Sequence, residues 1–318
     1  MPEQFAIEAS TPVDLHLHTL ASDGFWTPSD LLETIARRGF KVVAVTDHDN
    51  QRSVAEAMRI GQGIGVRVVP GVEMTTRWNG RQVHVLVYGL APDLTGPAAA
   101  KWNAALSEID ALMRERALDA KARFVESGRA LPSLDEILNG RVMWPFHILS
   151  AAIKDQHAKN LKESAELLVS LGGDFNGDLP LEQVVEAAHE AGGITVIAHP
   201  GRGDSVGLVT ADDLAKMLPE IPVDGLEAHY RSHSDVDTAL YRRLANEHGL
   251  VISAGSDSHA PAQPVDPLPY QAGWVRDLLG RLSIEMVGDD QSAFEWREGM
   301  SPAPKVPAPA PVEGEQTN

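Results

Sequence analysis

The chain contains no cysteine. Disulfides are therefore excluded, and any bound metal must be held by imidazole or carboxylate groups. The absence of disulfides fits a reducing compartment, and a cytoplasmic location is the expectation. There is also no run of about 18 or more apolar residues, so no transmembrane helix and no membrane partner are expected. The stretch Met1–Pro12 carries acids rather than the basic and then apolar order of a secretory signal. Positive charge is scarce: 27 Lys and Arg stand against 45 Asp and Glu, a formal charge of −18. That balance excludes a broad grip on DNA or RNA, which needs Lys and Arg to neutralise phosphates. It leaves room for a small anionic substrate, because bound divalent cations reverse the local sign.

What is present is enough for a sizeable core. At 318 residues and 43% hydrophobic composition, one large domain or one domain with an insertion both fit. Short Val- and Ile-rich runs alternate with helix-like stretches. Strands are expected at 13–17, 41–46, 67–72, 83–90, 195–198, 225–227, 251–254 and 272–275, with a helix over 28–38 opened by Thr27-Pro28. This alternation predicts α/β architecture of barrel type. The rhythm breaks between 94 and 179, where one long helix over 101–128 and two or three shorter ones are expected. The domain reading is an N-terminal extension at 1–12, a barrel at 13–93 and 180–298, a helical insertion over the barrel mouth at 94–179, and a disordered Pro/Ala-rich tail at 299–318.

Metal-capable side chains recur where strands end. His16 and His18, two apart on a strand, face one side and can approach one ion together. Asp23 follows that strand. His48 sits in Thr46-Asp47-His48-Asp49, Glu73 ends the third strand, and His84 lies on the fourth. His199 ends a later strand, and Asp257 and His259 follow another. Loops after the strands of a β/α barrel share one face, so these distant residues are expected to converge. Imidazoles with a few carboxylates suit Zn, Mn or Fe better than Ca. A carboxylate such as Glu73 can bridge two ions, and two adjacent ions can clamp a phosphoryl group.

The ordered motifs DLHLHT (14–19), SDG (22–24), TDHD (46–49), GVE (71–73), VHVLVYG (83–89), AHPGR (198–202) and GSDSH (255–259) resemble those of the PHP (polymerase and histidinol phosphatase) family. Within it the chain looks most like stand-alone bacterial phosphoesterases acting on nucleotides or short RNA. The resemblance implies a distorted (β/α)7 TIM-like barrel with two or three divalent ions (Mn, Zn or Fe). It implies that His16, His18, Glu73 and Asp257 hold the first ion. Glu73 would bridge to a second ion completed by His84 and His199, and Asp23, His48 and His259 would hold the third. It further implies hydrolysis of a phosphate ester by a metal-bound hydroxide attacking phosphorus, with Arg202, His199 and His259 as the catalytic set and Arg202 binding phosphate. The insertion departs from the family pattern. It reads Met143-Trp144-Pro145-Phe146-His147-Ile148-Leu149 and then Gly172-Gly173-Asp174-Phe175-Asn176-Gly177, so the part that selects substrate is different.

Glu227, His229, Tyr230, Arg231 and His233 form a dense polar group. His229, Arg231 and His233, together with Arg202 and His147, are expected to contact substrate. One buried orienting acid is the alternative reading of that group. Asp14 and Asp47 are expected to orient ligand histidines. The expected partner is a nucleotide, nucleoside bisphosphate, sugar phosphate or short RNA. Two other functions compete: hydrolysis of an amide or ester bond by the same centre, and a non-catalytic metal-binding module.

Overall fold

The computed structural model of the chain describes residues 5–202, 209–261, 266–288 and 294–301. Strand β1 (Phe5–Glu8) is followed by β2 (Pro12–Leu17), helix α1 (Pro28–Arg37), β3 (Val42–Val45), α2 (Val54–Ile64), β4 (Arg67–Trp78) and β5 (Arg81–Tyr88). Four helices come next: α3 (Ala100–Glu126), α4 (Leu134–Leu138), α5 (Pro145–Lys154) and α6 (Leu161–Ser170). The chain continues through β6 (Leu179–Pro180), α7 (Leu181–Glu190), β7 (Ile194–Ile197), α8 (Ala211–Met217), β8 (Gly225–Tyr230) and α9 (Asp235–Glu247). It closes with β9 (Val251–Gly255), β10 (Tyr270–Gln271), α10 (Arg276–Arg281) and β11 (Ile284–Val287).

Local chemistry accounts for these boundaries. Thr27 caps α1 by accepting the Asp30 N–H, with Pro28 at the first helical position. Strands β3, β7 and β8 are buried along their whole length; β3 and β7 accordingly read as apolar runs, whereas β8 carries the buried Glu227 and His229. Eight strands lie in the order β10-β2-β3-β4-β5-β7-β8-β9. The sheet nearly closes on itself: the His18 N–H donates to Ser258 O (3.0 Å) and the Asp257 N–H to His16 O (2.8 Å). The result is a mixed α/β fold around a barrel-like sheet.

Strand–helix alternation fails at β4 and β5. They form a hairpin turning at Asn79-Gly80, whose φ values of 47° and 76° are both positive, as a type I′ turn requires. Strand β5 therefore runs antiparallel to both neighbours, β4 and β7. One further expectation is corrected. Ala272–Val275 is a 3-10 helix, not a strand; all four residues are buried, and a short buried apolar run carries no periodicity to separate the two. Within the expected N-terminal extension, β1 pairs in parallel with β11.

The long helix expected at 101–128 is α3. Its first half places Trp102, Ala105 and Ile109 in the barrel core. Its second half places Ala117, Ala120 and Phe124 in a separate small core with Leu134, Ile148, Leu149 and Leu168 from α4, α5 and α6. These helices touch the barrel loops through an Arg52–Asp110 ion pair and through Arg141, whose Nη1 donates to Gly24 O (3.3 Å). Most of the expected tail, residues 302–318, lies outside the described residues. No helix among the described residues is long and apolar enough to cross a membrane.

Candidate metal centre

The ends of the barrel strands place the candidate ligands. On β2, Leu15 and Leu17 are buried in two different cores, and His16 and the following His18 turn to the face between them. A bridge between His48 and Glu73 holds the loop after β3 beside β4, and the Asp49 N–H donates to Glu73 O (2.9 Å). Because β5 runs in reverse, His84 reaches the same end from the beginning of its strand, paired with Thr75. His199 and Asp257 adopt positive φ values of 29° and 55°. Left-handed backbone at non-glycine residues costs free energy and concentrates at functional sites.

Glu73 is the centre of the cluster. Its Oε1 lies 2.9 Å from His84 Nδ1 and 2.8 Å from His199 Nε2. Its Oε2 lies 3.0 Å from His16 Nε2, 3.1 Å from His18 Nε2 and 3.5 Å from His48 Nδ1. Asp257 Oδ1 approaches His18 Nε2 (3.0 Å) and His16 Nε2 (3.5 Å) from the other side. At a neighbouring corner His259 Nε2 sits 3.1 Å and His48 Nε2 3.9 Å from Asp23 Oδ2, with His18 Nδ1 3.7 Å from Asp23 Oδ1. Three groups have donor atoms within 4.8 Å of one another: His16, His18, Glu73, Asp257; His18, Asp23, His48, His259; and His48, Glu73, His84. The first coincides with the expected first set. The second adds His18 to the expected third set. The third brings in His48, while His199 joins this corner through Glu73 Oε1.

The donor set fits cations. His16 Nε2 and His18 Nε2 are only 3.1 Å apart, a separation that a proton or a metal cation must bridge. His18 Nδ1 is buried without a hydrogen-bond partner. Burial alone would lower the His18 pKa, but the hydrogen bonds it donates to Asp257 and Glu73, with their negative charge, outweigh burial and raise it to about 10. Burial would likewise raise Glu73 and Asp257. The histidines around Glu73, and Arg231 with the histidines around Asp257, hold both well below the usual carboxylate range. His199, by contrast, is pushed down to about 3, chiefly by burial and then by Arg202 against the pull of Glu73. Ionised carboxylates and a neutral His199 are ligand forms a divalent ion requires, and an ion bound beside His18 would displace the proton that Asp257 and Glu73 otherwise hold there.

A surrounding layer fixes these ligands. Glu227, fully buried on β8, accepts from His16 Nδ1 (3.1 Å) and from the His199 N–H (2.7 Å), which aims His16 Nε2 at the cluster. Close approach of β9 to β2 depends on Gly255, where a Cβ would lie 2.1 Å from His16 Cβ and 2.5 Å from Glu227 Oε1. Tyr230 Oη (2.9 Å) and Arg231 Nη1 (2.9 Å) donate to Asp257 Oδ2. Arg202 Nη1 lies 3.3 Å from Asp257 Oδ2 and 3.3 Å from His199 Nε2.

Other expected residues sit elsewhere. His229 stacks on Trp274, with ring centroids 5.0 Å apart, and receives Arg242 Nη1 at 2.8 Å. A register shift between Glu227 and His229 separates the two side chains that strict alternation would put together. His233 bonds two backbone carbonyls, Ala228 O (3.1 Å) and Pro200 O (2.7 Å), and so staples the His199-Pro200 turn to β8. Asp14 and Asp47 do not orient imidazoles. Asp14 accepts from the Ser256 and Leu268 N–H groups (both 2.9 Å), and Asp47 from the Thr19 N–H (2.7 Å) and the Ser22 hydroxyl (2.8 Å), so both shape backbone. His147, on α5, is buried; its Nδ1 accepts the Trp144 N–H (3.1 Å). The proton therefore sits on Nε2, a buried donor with no hydrogen-bond partner.

The PHP domain profile matches residues 14–262. A 3′,5′-nucleoside bisphosphate phosphatase of Chromobacterium violaceum is 32% identical over 267 residues, covering 79% of this chain and 88% of that protein. A 5′-3′ exoribonuclease of Haemophilus influenzae is 29% identical over 258 residues, covering 78% and 90%. The crystal structure described as a putative metal-dependent phosphoesterase from Bifidobacterium adolescentis superposes with a TM-score of 0.70 at 24% identity, covering 90% of this chain and 99% of that one. This last likeness bears on the fold alone.

Proposed function

The chain belongs to the PHP domain family, and from that premise we propose that it is a metal-dependent hydrolase of phosphate esters on small substrates. Nucleotides, nucleoside bisphosphates and the 5′ end of short RNA lead the substrate list, in keeping with the names of its relatives. The observation that carries the reading is Glu73, whose two oxygens face two different histidine sets. A carboxylate so placed suits adjacent ions better than a single one. We read the barrel as the distorted (β/α)7 form, with residues 94–179 inserted as a cover over its mouth.

His16, His18, Glu73 and Asp257 would hold one ion. Glu73, His84 and His199 would hold a second, and Asp23, His48 and His259 a third. The imidazole-rich set suits Mn, Zn or Fe. Bound there, divalent ions supply an activated water and neutralise charge on phosphoryl oxygens. Arg202 offers a guanidinium fork at the same edge to bind and orient the phosphate. His147, neutral and with its Nε2–H unpartnered, donates a hydrogen bond to a substrate oxygen. Glu227, Tyr230 and Arg231 keep the ligands in place and touch no substrate.

The test is phosphate release in Mn²⁺ from nucleoside monophosphates, 3′,5′-bisphosphates, cyclic phosphates, short RNA and sugar phosphates, beside His16→Ala and Asp257→Ala variants. Release that both substitutions abolish is expected. Silence across the phosphate panel, with turnover of an amide or ester substrate, would overturn the phosphoesterase reading.

A further inference from the structure

The loop between β2 and α1 carries two adjacent aromatic residues with opposite fates. Trp26 is buried at 3% exposure, packs among Leu31, Leu32 and Ile35, and donates its Nε1–H to Ser258 Oγ (3.1 Å). Phe25 stands 58% exposed. The inward Trp26 forces the outward Phe25, because the backbone between them is pinned: the Phe25 N–H donates to His259 O at 2.6 Å. Gly24 lies so close to β2 that a Cβ there would be 2.8 Å from the His18 carbonyl carbon. The Phe25 ring is thus held at the rim of the centre, between Asp23 in sequence and His259 in space.

A single exposed Phe is unremarkable on a protein surface. This one has a cation behind it. The Arg141 guanidinium lies 6.0 Å from the Phe25 ring centroid, at the limit of cation–π range. Its N–H groups are fixed by three backbone carbonyls: Ile137 O (2.5 Å), Leu138 O (3.2 Å) and Gly24 O (3.3 Å). No carboxylate bonds it among the described residues. One face of the ring is thus backed by a positioned charge, and the ring keeps a large surface open to solvent beside the candidate ligands.

We propose that Phe25, backed by Arg141, is a stacking platform for a planar ring on the substrate, so that the site selects nucleoside phosphates over base-free sugar phosphates. The inference deepens the phosphate-ester reading and rests on it for the identity of the reacting group. Stacking on an aromatic face tolerates every base, so the platform selects for the presence of a base and not for which one.

The experiment compares adenosine 3′,5′-bisphosphate with its base-free counterpart, 1-deoxyribose 3,5-bisphosphate. Binding to the full chain is measured by calorimetry, and phosphate release is measured separately. The wild type should bind the adenosine compound about tenfold more tightly. Phe25→Ala should erase that preference, Phe25→Trp should keep it, and binding of the base-free compound should be the same in all three proteins. Equal binding of both compounds by the wild type, or an equal loss for both in Phe25→Ala, would overturn the platform. Preference for the adenosine compound without phosphate release from either would keep the platform and remove the hydrolase reading. Phosphate release from both compounds, unchanged by Phe25→Ala, would do the reverse.

Discussion

His147 is a histidine held neutral by its surroundings. Burial, and then the nearby Arg141, push its pKa down to about 4 despite Asp23. In the unfolded chain the group titrates near 6.5. Between these values the unfolded state binds more protons, so the contribution to stability is complete above about pH 6.5 and is lost as pH falls through about 4. Its full size is of the order of 3 kcal/mol. A His147→Asn variant keeps an oxygen for the Trp144 N–H but does not titrate. The stability difference between wild type and variant, from denaturant titrations at several pH values, should therefore shrink or reverse as pH falls from 7 to 4.5. A difference that stays constant would mean that His147 is not held neutral. At this scale the sequence was informative about residue type and silent about direction. The nine candidate ligands announced themselves as imidazoles and carboxylates at strand ends, and they cluster around Glu73. Glu227 and His229 looked alike as members of one dense polar group at the end of a strand. Only the local register shift makes one an orienting acid and the other a packing partner of Trp274.

Strands β3 and β7 were legible because their burial is complete, which favours unbroken runs such as Val42–Val45 and Ile194–Ile197. Hairpin β4–β5 was legible in principle, since Asn79-Gly80 between two apolar stretches is a strong signal for a type I′ turn. Its consequence, a reversed β5, is a property of pairing that no single strand records. The 3-10 turn at Ala272–Val275 shows the opposite limit, a buried run whose composition fits strand and helix equally. Element packing also makes a prediction. Strands β2 and β9 approach closely at Gly255, and an added methyl would collide with His16 and Glu227. Gly255→Ala should yield a folded protein of lowered stability, by about 1–3 kcal/mol as for other overpacked sites, with sharply reduced metal uptake. Wild-type metal content in that variant, measured by elemental analysis, would show that the strands can separate without disturbing His16.

Across the whole molecule, the candidate ligands run from His16 to His259 and come from strands or loops around most of the barrel. Ions held by such a set bind the folded chain and not the unfolded one. At about a hundred times Kd, one such ion adds roughly 2.7 kcal/mol to stability. For a chain of this size the melting temperature should rise by roughly 5 °C when Mn²⁺ is returned to chelator-treated protein. The rise should vanish in His16→Ala, and identical melting of wild type with and without Mn²⁺ would speak against the cluster as a metal centre.

The reversed β5 carries one more consequence. Tyr88, its last residue, pairs with Ile194, the first residue of β7, so the chain leaves the barrel at the end away from the candidate ligands. The contacts made by Arg52, Arg141 and Asp110 lie at the other end, beside Gly24 and Phe25. Between the two runs the first part of α3, a helix whose 27 residues span about 40 Å in all. If α4, α5 and α6 form the cover proposed above, this helix acts as a gauge rod whose residue count would set their distance from the barrel, in steps of about 1.5 Å. On that reading, lengthening or shortening it by a turn should change which substrate sizes are turned over. The ion-binding atoms, all carried by other elements, would stay where they are.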